Sequence, residues 1–133
     1  KTKDKYEPAK LNMKKNHAYM NLALKGCFIG SSTVIFNKKI INKLDGFNED
    51  YIFLTDYIFF LKVAENYNIY CSDKVLSKWR YHNDNATIKM NTVYVKEMNL
   101  LYINLIKGSK LNLLQKFKIF KLFLKLNLKN IVL

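Results

Sequence analysis

Apolar residues recur along this chain in two rhythms, and the places where the rhythm changes divide it into elements. Residues 11–25 (LNMKKNHAYMNLALK) set Met13, Ala18, Met20, Leu22 and Leu24 at loosely helical spacing, and the run ends near Gly26. This predicts a weakly amphipathic helix. The next ten residues, CFIGSSTVIF (27–36), are β-branched and aromatic around a Gly-Ser turn, which predicts a strand. Asn37 is placed to cap a short helix running to Leu44. Gly46 then suits the position just past the helix end, where positive φ carries no penalty for glycine. Phe47 would fold back onto the core.

Thr55 and Asp56 open the segment TDYIFFLKVAENY. Threonine suits the cap, aspartate suits the positive end of the helix dipole, and the body is apolar on nearly every side. Such a pattern predicts a buried helix. NIYCS (68–72) and VLSKWRYH (75–82) both look like strands, joined through the turn formers Ser72 and Asp73. Alternation puts Val75, Ser77, Trp79 and Tyr81 on one face of the second, and Leu76, Lys78, Arg80 and His82 on the other. NDNAT (83–87) is a loop. Residues 89–106 and 111–130 predict two helices, separated at Gly108 and Ser109. The order α-β-α-α-β-β-α-α predicts part of an α/β layer architecture finished by a helical tail.

The chain's 133 residues suffice for one domain with a modest core. Half are apolar and 14% aromatic, which excludes a disordered chain, and one proline with four glycines leaves little room for linkers. The polar opening KTKDKYEPAK carries no signal peptide and predicts a start inside a longer protein. Cys27 and Cys71 lie far apart without a partner at ligand spacing, so buried thiols in a reduced, cytosolic setting are expected rather than a metal or redox centre.

The net charge of +13 is uneven. Residues 1–25 hold seven lysines against Asp4 and Glu7, and 107–133 hold seven lysines and no acid. Between them, 26–106 balance nine basic residues with eight acidic ones. A nucleic-acid enzyme more often spreads basic residues around its site, so no nucleic-acid partner is expected.

The stretch GSSTVIFNKKIINKLDGFNEDYIFLTDYIFFLKVAENYNIYCSDKVLSKWRYHNDNAT (30–87), somewhat under half the chain, resembles the second half of family 2 glycosyltransferases. Members show a Ser-containing strand, a short helix ending in Gly-Phe-Asp/Asn-Glu, a Glu-Asp pair opening a helix, and a strand pair ending in Arg-x-His. The resemblance implies a GT-A (Rossmann-like) fold. Residues 1–106 would be the C-terminal half of its catalytic domain and 107–133 a basic amphipathic tail. It implies inverting transfer of a sugar from a nucleotide-sugar donor to a glycan or lipid-linked acceptor, as in bacterial cell-surface polysaccharide synthesis.

By the same resemblance Asp56 is the general base, taking the proton of the acceptor hydroxyl as its oxygen attacks the anomeric carbon. The plainer reading of an aspartate at a helix start is a simple cap. Thr55 stands where the family has Glu, and Lys62 where Arg is usual. Arg80 and His82 match Arg-x-His, a cationic pair suited to a diphosphate leaving group; alone they would read as a solvated strand end. Ser31 and Ser32 are candidates to line the acceptor cleft, though strand hydroxyls often only satisfy neighbours. Gly46, Phe47, Asn48 and Glu49 read as structural, and His17 as a surface or packing residue. The family holds a divalent metal, Mg or Mn, and the donor diphosphate on an Asp-x-Asp motif. No D-x-D occurs in this sequence. The donor-binding half is therefore expected to be missing, and this polypeptide to be inactive alone. A non-enzymatic basic module at a membrane surface, or a degenerate transferase, are the competing readings.

At about 100° per residue, a helix over 111–130 places Lys118, Lys121, Lys125 and Lys129 on one stripe. Leu113, Phe117, Phe120, Leu124 and Leu128 are read onto the opposing broad face, widened by Ile119, Leu122, Phe123 and Leu126. The lysines interrupt the run too often for a spanning helix. Residues 110–130 therefore read either as an interfacial helix on an anionic membrane or as a terminal helix packed on the domain. The corresponding location is cytoplasmic, peripheral on the inner face of the cell membrane.

Overall fold

The described residues of this computed structural model are 15–72, 74, 77–78, 85 and 91–131. Their regular structure consists of five α-helices: α1 (Lys15–Lys25), α2 (Lys38–Lys43), α3 (Thr55–Asn66), α4 (Asn91–Lys107) and α5 (Leu113–Ile131), with one 3-10 turn at Ser31–Thr33. The protein in this region is all-helical. No strand forms among the described residues, and Ile69 alone marks an isolated bridge. The α/β, Rossmann-like architecture expected from the sequence is therefore corrected to a helical one.

The reason lies in what a β-branched run encodes. Around residues 27–36 the backbone is extended on both sides of the 3-10 turn, with Gly30 at φ −83°, ψ 126° and Val34 at φ −104°, ψ 135°. Alternation survives too: Val34 and Phe36 pack against the core while Ile35 is 98% exposed. A strand also needs a neighbour to take its backbone donors and acceptors, and none stands beside this segment among the described residues. At its centre, local bonds replace a ladder. The Thr33 amide and hydroxyl both donate to the Gly30 carbonyl, at 2.8 Å and 2.6 Å, a closure typical of Ser and Thr. Residues 68–72 carry only the bridge at Ile69 among the described residues. The expected strand at 75–82 lies mostly outside the described residues.

The helices follow the sequence pattern closely. Helix α1 ends where its rhythm ends, with Gly26 at φ +90° and its N–H bonded to the Leu22 carbonyl. Asn37 caps α2 by accepting the Lys39 N–H at 2.9 Å. The chain leaves α2 through two left-handed residues, Asp45 and Gly46. Phe47 turns back as expected, and its ring centroid lies 4.6 Å from that of Phe59.

Two helix pairs make up the core: α1 packs on α3, α4 packs on α5, and α1 also meets α5. Helix α3 supplies Tyr57, Phe59, Phe60, Leu61 and Ala64 to the buried interior. Fully buried Phe59 is surrounded by the rings of Phe36, Phe47 and Phe60. The Tyr57 hydroxyl donates to the Leu22 carbonyl across the α1–α3 contact, and burial keeps it protonated by pushing its pKa up. Between α4 and α5, the side-chain amides of Asn99 and Asn127 bond to each other reciprocally at 3.0 Å and 2.9 Å. The Lys110–Glu65 ion pair is at the surface and contributes little. No helix among the described residues is long and apolar enough to cross a membrane.

Because Phe59 is fully enclosed, Phe59→Ala should lower stability by about 3–5 kcal/mol, measured by denaturant unfolding. Exposed Ile35→Ala should stay within about 0.5 kcal/mol.

Candidate functional site

Helix α3 begins in an unusual way. Its N-cap position is Leu54, which has no side chain able to accept a hydrogen bond. Thr55, expected to cap, instead donates its hydroxyl to the Tyr51 carbonyl one turn back. The donors preceding the helix are satisfied from another element. The Ile52 N–H bonds to one carboxylate oxygen of Glu97 at 2.7 Å, and the Phe53 and Leu54 N–H groups bond to the other at 3.0 Å and 2.8 Å. Three successive amides converging on an anion form a nest, completed here by a buried carboxylate from α4. The negative charge also lies at the positive end of α3.

This arrangement fixes the segment that presents Asp56. Asp56 lies in the first turn of α3 and is half-buried. Its Oδ1 accepts the Tyr57 N–H at 2.7 Å. Its Oδ2 accepts the hydroxyl of Ser31, which the 3-10 turn brings in from 25 residues away. Cys27 lies close enough to feel the Asp56 charge. Although its side chain is exposed at the surface, partial desolvation pushes its thiol pKa up; a backbone hydrogen bond at Ile29 opposes that rise, and the Asp56 charge adds a lesser upward push. Asp56 and Ser31 thus pair beside the N-terminus of α3, with Cys27 within electrostatic reach.

The other candidates fall differently. Ser32 is exposed in the same 3-10 turn. Thr55 is half-buried, with its hydroxyl engaged by Tyr51. Lys62, in the place of the family's Arg, reaches the Leu44 carbonyl at 3.3 Å and ties α3 to the end of α2. His17 is exposed. Arg80 and His82, with the strand face they were expected to share, lie outside the described residues.

Sequence reasoning missed Glu97. A signal was present: it is the sole acidic residue in 85–133, set within an otherwise apolar and basic helix. A lone carboxylate in such a helix requires donors, and here they are backbone amides.

The resemblance puts the divalent metal on an Asp-x-Asp motif that this sequence lacks. No group of three or more His, Cys, Asp or Glu able to hold a metal occurs among those described. The partners of Asp56 are the Ser31 hydroxyl and the Tyr57 amide, which supply no second carboxylate for Mg or Mn.

Glu97→Ala would strand three amides, so it should cost about 3 kcal/mol or more in denaturant unfolding. Glu97→Gln keeps one acceptor oxygen but turns an amide donor toward another donor, and should cost about 1–2 kcal/mol. Cys27 should alkylate more slowly than a free thiol at neutral pH, since a raised pKa lowers the thiolate fraction. Asp56→Asn should speed that reaction slightly, since the Asp56 charge is the least of the influences on the thiol; peptide mass spectrometry separates Cys27 from Cys71. No protein-family model, curated protein or solved structure matches this chain, so the site rests on its own residues and geometry.

Proposed function

We propose that this chain carries the acceptor-side base of an inverting glycosyltransferase resembling family 2, with Asp56 as that base. The observation that supports the reading best is the contact between Asp56 Oδ2 and a hydroxyl, that of Ser31. A carboxylate oxygen that accepts one hydroxyl can accept an acceptor sugar's hydroxyl in its place. The carboxylate is also held firmly, by the Tyr57 amide on one oxygen and by the Glu97-fixed segment preceding it. Catalysis by a positioned base depends on such placement.

In the proposed step the acceptor hydroxyl displaces Ser31 from Oδ2. As its oxygen bonds to the anomeric carbon of the donor, its proton passes to Oδ2. The bond from that carbon to the diphosphate oxygen breaks, and the nucleoside diphosphate leaves with the electron pair. Attack from the face opposite the leaving group inverts the anomeric centre. Arg80 and His82 are assigned by the resemblance to the charge that develops on the diphosphate. The sequence contains no Asp-x-Asp, so donor and metal binding would require residues beyond those of this chain.

A second reading is favoured by one observation. Thr55 replaces the family's Glu and spends its hydroxyl on Tyr51, as in a degenerate transferase that keeps the turn and has lost a carboxylate.

The test is Asp56→Asn in a polypeptide that joins this chain to donor-binding residues, assayed with a panel of nucleotide-sugars and acceptors. Transfer should fall about 10²–10⁴-fold, with the circular dichroism spectrum unchanged. Ser31→Ala should reduce turnover far less, because the acceptor replaces that hydroxyl. Near-normal turnover in Asp56→Asn would remove Asp56 as the base. A folded parent inactive across the whole panel would favour the degenerate reading.

A further inference from the structure

Helix α5 has two apolar faces, and the core uses only one. Ile119 is fully buried, and Leu122, Phe123 and Leu126 pack beside it. Rotated away from these, Leu113, Phe117, Phe120, Leu124 and Leu128 form a second line. They recur at intervals of four, three, four and four residues, and are 42–86% exposed. From Leu113 to Leu128, fifteen helical steps of ~1.5 Å make a ridge about 22 Å long. Nothing among the described residues covers it.

The flank of this ridge is cationic. Lys118, Lys121 and Lys125 are exposed along it, and the Lys121 ammonium lies 4.6 Å from the centroid of the Phe117 ring. The sequence from 98 to 133 holds no acidic residue. A partner for this face must therefore accept an apolar ridge and also supply negative charge. A second copy of the chain supplies the ridge's match but not the charge. Pairing two such helices would bring their lysines together with no carboxylate to offset them, in a protein of net charge +13.

We propose that α5 lies along an anionic lipid bilayer surface, its ridge sunk to the boundary between headgroups and acyl chains. Leucine and phenylalanine enter the apolar layer, while the lysines extend along their own stems to the anionic headgroups. The opposite face stays on the core, so docking requires no unfolding of the helix. The inference rests on this surface alone and is independent of the transferase reading.

The test is co-sedimentation of the intact chain with vesicles of phosphatidylcholine, and with vesicles in which about a third of the lipid is phosphatidylglycerol. Partition into the anionic vesicles should be at least about tenfold stronger, and should weaken at ~0.5 M salt as the charges are screened. Replacing Lys118, Lys121 and Lys125 by Gln should lower it by about fivefold per lysine. Phe117→Ser with Leu124→Ser should abolish it while helicity is retained, since both positions are partly exposed. As a check that tolerates loss of those variants, Leu124→Trp should be quenched by brominated lipid beyond the parent protein, whose sole tryptophan is Trp79. Equal binding to both vesicles, or bound Leu124→Trp without added quenching, would overturn the proposal. So would a concentration-dependent dimer in lipid-free buffer that ignores vesicles, which would assign the ridge to a second copy.

Discussion

The Glu97 carboxylate adds a polar tie between helix pairs that share one apolar core. Helices α1 and α3 form one closely packed pair and α4 and α5 another, and α1 also packs on α5. The segment just before α3 joins α4 by placing the Ile52, Phe53 and Leu54 amides on Glu97 and the Phe53 ring against Tyr94. Asn104 adds a longer bond to the Tyr51 hydroxyl nearby. Buried backbone donors must be satisfied, and at this point the chain has no capping side chain of its own. The fold therefore depends on α4 arriving with a carboxylate at one height. In return, the carboxylate fixes where α3 starts and so where Asp56 stands.

That dependence runs through to the candidate site. Asp56 is placed by helix geometry, helix geometry by the anchored segment, and Ser31 by a 3-10 turn that folds on local Thr33–Gly30 bonds. Three regions distant in sequence meet at one carboxylate: the Cys27–Thr33 stretch, the start of α3 and, one step behind, the middle of α4. The nearest parts are held by short-range bonds. The pair needs no strand to support it.

Much of this was legible in the sequence where the information is local. The Asn37 cap, the stop at Gly46, the buried rhythm of α3 and the break at Gly108 and Ser109 each act through neighbouring residues, and each appears close to where the pattern placed it. The failures concern partners. A β-branched run specifies extended backbone, and residues 27–36 are extended beside their turn, but no ladder follows because pairing depends on residues elsewhere. The same limit hid Glu97, whose amides lie 43 to 45 positions away. For the candidate site, the pattern put Asp56 at the start of α3, yet its pairing with Ser31 depends on the fold of residues 30–33. On α5 the alternation gave one broad apolar face. Packing splits it into a buried line and an exposed one, a division set by where α1 and α4 lie.

The Asn99–Asn127 pair has a consequence for alignment. Helices α4 and α5 are rich in leucine and isoleucine, which fit one another almost as well after a slip of one turn as before it. Dispersion and burial would change little, so apolar packing alone leaves several nearly equivalent alignments. The two amides break that degeneracy. In one alignment each carbonyl faces the other's NH2 group; in any slipped one, two part-buried amides lose their mutual partner against apolar neighbours. A small polar contact thus acts as an index mark between otherwise repetitive surfaces, the use to which single buried asparagines are put in coiled coils.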